Sequence, residues 1–382
     1  MPRPPAQAAL AAASRQPAGD KPAQPKPTTK LVAKAEKPLK ILFLGGTVFL
    51  GPHTVEQLIA RGHTVTLFNR GKSNPELFPD LEKLRGDRGT AKSECNLSAL
   101  ETEIKKGRRW DAVIDTCAYV PKYMRMSTTL LKDAVDKYVM VASVNVYTSD
   151  AEPDQDESGP VHEKWPDDEA VSNENYGPMK RGCEVVLNEL MPNRWASARP
   201  ALIVGPRDPS DRFSYWPLRC MRGGEILAPV GPDEPCSFID ARDVGGLLVL
   251  LAEKNASGPF NALGSPGMTL GPVLNDCLAA AKEAGAPAGS LTWAPLGFLK
   301  RNSVQAWSDL PAWVPSADPD SAGAMKRVGM KSIELGARFR PVKESAADIL
   351  KWWNKLPENR RAKVRAGLSS EREIELLKKL HA

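Results

Sequence analysis

The sequence feature that most constrains the fold is a short apolar run that ends in glycines. Residues 39–44 read LKILFL and are followed by GGTVFLG at residues 45–51. The run is typical of a buried strand, and the apolar spacing after it predicts a helix. Glycine suits a sharp turn, and the amino terminus of the following helix offers N–H groups to an anion. The pattern therefore predicts a strand, a phosphate-binding turn and a helix.

Further strands alternate with helical stretches along the chain. Apolar runs predict strands at His63–Phe68, Trp110–Asp115, Tyr138–Ser143 and Ser197–Val204, and a helix is predicted from about residue 176 to 190. This alternation is typical of a parallel sheet that helices cover on both faces. We therefore predict an α/β fold with a Rossmann-type doubly wound parallel sheet.

Composition divides the chain into three parts. Residues 1–38 are rich in Pro, Ala and Lys, which predicts a disordered leader. Residues 39–205 are predicted to form the dinucleotide-binding domain. Dense turns follow, so residues 206–382 are predicted to form a smaller α+β substrate-binding region with C-terminal helices. A strand element near residues 236–263 is expected to return to the dinucleotide-binding domain.

The net charge of +6 is concentrated at the amino terminus. Residues 1–40 contain eight basic and two acidic side chains, so residues 41–382 are formally neutral. A basic chain would suggest nucleic acid or an anionic membrane as a partner, but here the folded body is not basic overall. No apolar run is long enough to span a bilayer, and we expect no membrane association.

The six cysteines are scattered and form no C-x-x-C pair. This spacing argues against a disulfide framework and against a zinc site, so no metal is predicted and a reducing compartment is expected. We predict a cytoplasmic location. Export after processing of the Ala-rich leader is the alternative.

The residues after the second strand favour one cofactor. Folds of this kind normally carry a carboxylate here for the adenosine ribose of NAD, whereas this chain reads Asn69-Arg70-Gly71-Lys72. Arg70 and Lys72 can pair with a 2′-phosphate, so we predict NADP in preference to NAD. The alternative is that both side chains are solvated and Asn69 binds the ribose. The predicted cofactor-binding residues are Gly45, Gly46, Thr47, Phe49, Leu50, Gly51, Asn69, Arg70, Lys72, Asp87 and Lys180.

A phenol and an ammonium group stand four residues apart on the predicted helix. Tyr176 and Lys180 therefore share a helix face. Lys180 favours the ionised phenol and can hold the nicotinamide ribose, while Tyr176 exchanges a proton with a substrate alcohol or carbonyl. Ser143, at the end of the preceding strand, can hydrogen-bond the same substrate oxygen. These three residues are the predicted catalytic set.

With these motifs the sequence resembles the extended short-chain dehydrogenases/reductases of the NAD-dependent epimerase/dehydratase group. The resemblance covers about residues 40–265. Within the group, the GGTxFxG turn and the Asn-Arg-Gly sequence look most like an atypical branch that includes plant chloroplast stem-loop-binding proteins. Its further marks are Gly86-Asp87, residues 143–147 (SVNVY), Arg199-Pro200, Gly205-Pro206, residues 238–243 (FIDARD) and Phe260-Asn261.

The resemblance implies an NAD(P)-dependent oxidoreductase or epimerase. It would act by hydride transfer at a secondary alcohol or ketone of a small sugar-like or other polyhydroxylated substrate. The alternative is a nucleic-acid-binding or regulatory protein on the same fold, favoured by the basic leader and a basic segment at residues 360–365. A homodimer is left open.

Several departures from the group narrow the function. Val48 replaces the middle glycine of the turn and is expected to crowd the pyrophosphate. Val144 and Asn145 replace the Asp-Glu pair of sugar-nucleotide 4,6-dehydratases, so that elimination is not expected. Cys236 stands where nucleotide-sugar epimerases usually carry an arginine that contacts the diphosphate. Candidates to replace that arginine are Arg207, Arg212, Arg219 and Arg242.

Four residues are predicted to contact the substrate. Tyr119 follows the strand at residues 110–115, Asn145 follows Ser143, and Arg212 and Trp216 come just after the strand that leads into the substrate region. The later tryptophans are expected to serve core or lid packing. The acidic segment 150–169 is expected to be a solvated loop, with a lid as the alternative.

Overall fold

The computed structural model describes residues 33–90, 93–167 and 170–382, so residues 1–32 of the predicted leader lie outside it. The strands are β1 (Lys40–Leu44), β2 (Thr64–Asn69), β3 (Glu82–Arg85), β4 (Trp110–Asp115), β5 (Val135–Val141), β6 (Trp195–Pro200), β7 (Leu202–Val204), β8 (Gly224–Pro229), β9 (Phe238–Asp240), β10 (Gly258–Ala262) and β11 (Gly289–Ala294). The helices are α1 (Leu50–Arg61), α2 (Ser98–Lys105), α3 (Pro121–Leu131), α4 (Tyr176–Leu190), α5 (Tyr215–Cys220), α6 (Ala241–Glu253), α7 (Leu270–Glu283), α8 (Leu296–Arg301), α9 (Met330–Leu335), α10 (Val342–Trp353), α11 (Glu358–Arg361) and α12 (Ser370–His381).

A seven-stranded sheet with the order β10-β6-β5-β4-β1-β2-β3 forms the centre of the fold. All of its strand pairs are parallel. The direction of winding reverses between β1 and β4, and ligands of such sheets bind in the crevice outside the strand ends at that point. The prediction of a Rossmann-type doubly wound sheet is confirmed.

The apolar run of the sequence forms a strand because both of its faces are buried. Ile41 and Phe43 pack into a cluster that includes side chains of α1 and α6. Leu42 and Leu44 pack into a second cluster on the opposite face, with side chains of α3 and α4. Burial on both faces explains why the strand is continuously apolar.

The stretch predicted as one strand at residues 197–204 is two strands in different sheets. β6 lies in the central sheet, whereas β7 pairs with β9 in a separate two-stranded sheet. The chain leaves the central sheet at Pro200, which has no N–H to donate to a ladder. The sequence pattern missed this break because both halves are apolar. β10 joins the edge of the central sheet beside β6.

The later part of the chain builds a third cluster around β8, β11, α5, α7 and α10. The last helix, α12, is attached to it by a buried carboxylate. Glu373 is 2% exposed. It accepts hydrogen bonds from Arg219 Nε at 2.5 Å and from the Leu227 N–H at 3.1 Å. None of the helices in the described ranges is long and apolar enough to cross a membrane.

The acidic segment after β5 is anchored to the later part of the chain. The Gly323 N–H donates to the Asp150 carbonyl at 2.7 Å, and the Val328 N–H donates to the Gln155 carbonyl at 3.1 Å. Arg327 forms an ion pair with Asp150. Many side chains of residues 150–167 are exposed, as expected, but backbone contacts fix the segment beside the substrate-binding region.

Candidate active site

A cavity of about 850 Å³ lies at the carboxyl ends of the central strands, where β1 and β4 meet. Its wall contains fifteen of the seventeen residues predicted as catalytic, cofactor-binding or substrate-contacting; Gly51 and Trp216 are the exceptions. The predicted residues in the wall are Gly45, Gly46, Thr47, Phe49, Leu50, Asn69, Arg70, Lys72, Asp87, Tyr119, Ser143, Asn145, Tyr176, Lys180 and Arg212. Residues from distant parts of the sequence therefore meet in one cavity.

The turn between β1 and α1 requires glycine for two reasons. Gly45 and Gly46 have φ angles of 103° and 95°, in the left-handed region that L side chains rarely adopt. A Cβ atom on Gly51 would lie 2.7 Å from the backbone of Gly46. Gly51 therefore does not line the cavity but allows α1 to approach the turn, with its amino terminus at the cavity wall.

Val48 lies in the cavity wall beside this turn and is 53% exposed. Its isopropyl group therefore stands at the surface that a dinucleotide would approach. Asn74, which the sequence did not single out, donates from its side chain to the Thr47 carbonyl at 2.7 Å. This bond ties the segment after β2 to the glycine turn.

Asn69 organises the end of β2. Its Nδ2 donates to the Gly45 carbonyl at 2.9 Å, and its Oδ1 accepts from the Gly71 N–H at 3.0 Å and from Arg85 Nη1 at 2.5 Å. Arg70 and Lys72 are exposed on the cavity wall and form no ion pair among the described residues. Arg85 was missed by sequence reasoning; pairing β3 with β2 in register, Asn69 opposite Arg85, would have found it.

A buried charge network lies beneath the cavity. Asp87 accepts from the Gly89 N–H at 3.0 Å, which shapes the loop after β3. Arg88 pairs with Asp115 at 2.8 Å, and both side chains are buried. Asp115 also accepts from the Tyr138 hydroxyl at 2.8 Å. Sequence reasoning did not single out Arg88 or Asp115, because a charged pair of this kind carries no local spacing signal.

The predicted pair Tyr176 and Lys180 occupies the first turn of α4. Lys180 is 2% exposed, and its Nζ donates to the Val141 carbonyl at 2.8 Å. The same Nζ lies 5.8 Å from the ring centroid of Tyr176 and 4.0 Å from that of Tyr119. The ammonium therefore lies between two phenols, with one N–H bound to the sheet and two more available.

The surroundings of Lys180 keep it protonated. Burial lowers its pKa, but the charges that Tyr176, Tyr119, Cys183 and Asp115 carry when ionised outweigh burial, so the pKa of Lys180 is raised. The charge of Lys180 lowers the pKa of Tyr119. Desolvation and the like charges of Tyr176, Cys117 and Asp115 raise this pKa by more, so the net shift is upward. At neutral pH the cavity thus holds an ammonium beside a neutral Tyr119 phenol.

Ser143 lies two residues after the end of β5 and is 5% exposed. Its Oγ donates to Asn145 Oδ1 at 3.0 Å and accepts from the Asn145 N–H at 3.1 Å. Gly177 lets α4 pack on this turn, because a Cβ there would lie 2.0 Å from the Asn145 carbonyl oxygen. The serine hydroxyl is therefore held at the cavity wall by a neighbour that also lines it.

Cys117 also lines the cavity but is a poor nucleophile. Burial raises the pKa of its thiol to about 11, with a further contribution from the Asp115 carboxylate. The thiolate is the reactive form of cysteine. Cys117 is therefore a neutral thiol at physiological pH, packed against the glycine turn.

The prediction that Trp216 lines the pocket is wrong. Its side chain is 1% exposed in the core of the later part of the chain, and its Nε1 donates to the Pro311 carbonyl at 2.8 Å. The tryptophan in the cavity wall is Trp307, over which the Arg212 guanidinium lies at 5.3 Å. Trp307 is far from Arg212 in sequence, so no local pattern indicated the contact.

The chain belongs to the NAD dependent epimerase/dehydratase family. The profile of that family matches residues 41–262, which is more than half of the chain. The chain is 28% identical over 284 residues to the chloroplast stem-loop binding protein of 41 kDa b of Arabidopsis thaliana, a match that covers 69% of this chain and 68% of the relative. It is 35% identical over 78 residues to a UDP-glucose 4-epimerase of Klebsiella pneumoniae, covering 20% and 56%.

Solved structures share the fold. A UDP-glucose 4-epimerase of Thermotoga maritima with UDP-glucose matches 83% of this chain and 99% of its own, with a TM-score of 0.54 and 17% identity. The Bordetella bronchiseptica enzyme WbmG in complex with NAD and UDP matches 88% and 99%, with a TM-score of 0.57 and 17% identity. The family match and these shared folds together show that the chain is an enzyme of this family with a nucleotide-binding Rossmann fold.

The glycine turn fits a dinucleotide cofactor. A Cβ on Gly45 would lie 2.6 Å from Thr116, and one on Gly46 would lie 2.9 Å from Leu67, so only glycine allows this path of the chain. Gly45 and Gly46 both line the cavity. Phosphates bind well at helix amino termini that are reached through such turns. Gly45, Gly46, Thr47 and Leu50 would hold the pyrophosphate, and Lys180 would hold the nicotinamide ribose.

Gly51→Ala tests whether the glycine turn binds the cofactor. The added methyl would push α1 away from Gly46, so we expect the free energy of unfolding to fall by about 1–3 kcal/mol. We expect the dissociation constant for NAD or NADP to rise at least about tenfold, measured by calorimetric titration. The control is Gly297→Ala in α8, where a Cβ meets only the flexible end of Arg301 at 3.4 Å. Unchanged cofactor binding in folded Gly51→Ala would contradict the assignment.

Proposed function

We propose that the chain is an NAD(P)-dependent oxidoreductase or epimerase that acts at a secondary alcohol or ketone of a sugar-like or other polyhydroxylated substrate. The observation that carries this proposal is that Ser143, Tyr176 and Lys180 line the same cavity as the glycine turn. The names of the solved structures support it, because several are UDP-sugar epimerases.

Each residue of the set has a role that follows from its contacts. When bound, the nicotinamide cofactor accepts a hydride from the substrate carbon or returns one to it. Tyr176 is the group that takes the proton of the substrate hydroxyl or gives one to the carbonyl oxygen. Lys180 stabilises the ionised phenol by its charge, while its bond to the Val141 carbonyl fixes its position.

Ser143 orients the substrate oxygen. Its hydroxyl donates to Asn145 Oδ1, so a substrate oxygen would replace that acceptor by a small rotation of the hydroxyl. The backbone N–H of Asn145 remains bound to Oγ and keeps the serine in position. Asn145 is then free to bind a neighbouring hydroxyl of the substrate.

The outcome is epimerisation if the ketone is reduced again on its other face, and oxidation if the ketone is released. The epimerase names among the relatives and neighbours favour the first outcome. The 4,6-dehydratase reaction has no acid and base at the expected places, because these are Val144 and Asn145.

Tyr176→Phe tests the proton transfer. The unmodified enzyme is first screened for turnover of nucleotide sugars, sugar phosphates and polyols. On a substrate found in this way, we expect Tyr176→Phe to lower turnover about 10²–10⁴-fold. Cofactor affinity should stay the same, since the ring and its packing are kept. Tyr123→Phe is the control, because Tyr123 packs on Gly89 and does not line the cavity. Full turnover in Tyr176→Phe, followed by cofactor absorbance or product analysis, would refute the mechanism.

We further propose that NADP is preferred to NAD. Arg70, Lys72 and Arg85 are exposed around the end of β2, and Asn69 stands where NAD-binding folds normally carry a carboxylate. A 2′-phosphate placed there would pair with these cations, whereas NAD has no such group. The complexes of neighbouring structures contain NAD, so the preference is a feature that we assign to this chain's own residues.

Replacing Arg70 and Lys72 together by alanine tests this preference. We expect the dissociation constant for NADP to rise about 10–100-fold and that for NAD to change less than about threefold. Lys83→Ala is the matched control, because Lys83 lies on β3 outside the cavity wall and binds the Pro75 carbonyl. Equal losses for both cofactors would show that the two residues shape the loop rather than read the phosphate.

Nucleic-acid binding is the second candidate, because the Arabidopsis relative is named as a stem-loop binding protein. The basic segment near α11 adds little support, because its arginines are engaged within the protein. Arg360 pairs with Asp211, Arg361 Nε donates to the Leu356 carbonyl, and Arg365 Nη1 donates to the Pro209 carbonyl. These charges hold the end of the chain in place.

Measuring RNA binding at several salt concentrations shows whether the leader or the folded body binds RNA. We expect binding of a stem-loop RNA, measured by fluorescence anisotropy, to disappear when residues 1–38 are deleted. The control is the full chain under the same salt conditions. Salt-sensitive binding that persists in the deleted protein would favour a nucleic-acid function of the folded body. The cytoplasmic location stays a prediction, and a homodimer stays open.

A further inference from the structure

Arg212 presents an unpaired guanidinium to the cavity. Its Nε donates to Ser210 Oγ at 3.1 Å, while its terminal nitrogens have no hydrogen-bond partner among the residues that the structure describes. No carboxylate forms an ion pair with it in those ranges. Burial lowers the pKa of Arg212, and Asp208 and Tyr176 oppose this effect. Asp208 therefore acts on Arg212 by its charge without forming an ion pair, and the terminal N–H groups of the half-buried guanidinium remain able to bind an anionic group.

The other arginines that the sequence offered as substrate anchors are occupied or lie elsewhere. Arg219 is buried against Glu373, and Arg242 pairs with Asp240 and Asp348. Arg207 does not line the cavity. Cys236 is 2% exposed and belongs to the apolar core, so it offers no polar contact. In the described chain, Arg212 is therefore the one arginine in the wall close to the substrate-contacting residues.

Trp307 fixes the orientation of this guanidinium. The Arg212 Cζ lies 5.3 Å from the centroid of the indole ring, a cation–π contact that leaves the edge of the guanidinium available. Trp307 is 36% exposed at the cavity wall and has a φ of 71°. An exposed aromatic in the left-handed region is uncommon and is held there by the surrounding chain. Its exposed part can pack against the apolar face of a sugar ring.

We propose that Arg212, oriented by Trp307, binds one anionic group of the substrate. We propose that the substrate is a polyhydroxylated compound with a single phosphate monoester or carboxylate, rather than a nucleoside diphosphate sugar. The diphosphate of a nucleotide sugar spreads its charge over two phosphates, and burying the one beyond the reach of Arg212 without a second cation is costly, whereas a phosphate monoester or carboxylate presents its charge at one point. The inference rests on the proposed function, because it assigns the substrate class of that site.

The test measures binding to the enzyme saturated with its preferred nicotinamide cofactor. Four probes are titrated by calorimetry: glucose 1-phosphate, glucuronate, UDP-glucose and glucose. We expect the phosphate ester or the carboxylate to bind at least tenfold more tightly than glucose and UDP-glucose. In Arg212→Gln that advantage should fall 10–100-fold, and in Trp307→Leu it should fall severalfold. Arg207→Gln is the matched control and should leave it unchanged.

Glucose 1-phosphate and glucuronate distinguish a phosphate from a carboxylate site. The proposal is overturned if UDP-glucose binds most tightly, if neither of these two probes binds more tightly than glucose, or if Arg212→Gln binds them as well as the unmodified enzyme does. Cofactor absorbance is recorded in the same samples. Turnover of UDP-glucose that depends on Tyr176 would retain the proposed function while removing this inference. Arg212-dependent binding without any Tyr176-dependent turnover would do the reverse.

Discussion

The first helix can begin where it does only because Gly51 has no side chain. The backbone of Gly46 lies where a methyl group would otherwise stand, so α1 and the end of β1 touch directly. This contact sets the height of the helix over the sheet and aims its amino terminus at the cavity. The positions of Asn69 and Thr47 follow from it, because Asn69 donates to the Gly45 carbonyl and the Thr47 carbonyl accepts from Asn74. The cofactor wall therefore depends on one close backbone approach.

The fold and much of the cavity could be predicted from the sequence, because these features rest on local patterns. The glycine turn, the strand ends and the four-residue spacing of Tyr176 and Lys180 are each visible in a short window. The break at Pro200 was missed, since the apolar pattern continues through both strands. Trp216 was taken for a wall residue because it comes just after the strand that leads into the substrate region. Packing decides otherwise, and a distant residue, Trp307, supplies the aromatic face.

The charged residues in and near the dinucleotide-binding part of the chain fall into two groups, one paired in buried ion pairs and one at the cavity wall. Arg88 with Asp115, and Arg199 with Glu184, are desolvated pairs in which each charge has its partner. Removing one partner of such a pair is strongly destabilising, because the other charge stays buried. Arg70, Lys72 and Arg212 differ, since none of them forms an ion pair with a described acidic group, although the charge of Asp208 acts on Arg212. Their charged groups at the cavity wall are therefore available to a ligand.

The place of β10 in the sheet has a consequence for synthesis. β6 remains an open edge until Gly258–Ala262 has been made, and Asn261 of that strand then donates to the Val328 carbonyl. A nascent chain that ends before this strand exposes unpaired backbone groups at the edge of a parallel sheet, which is a hazard for aggregation. The central sheet is therefore complete only after residue 262 has been synthesised, well beyond the strands that carry the dinucleotide-binding turn.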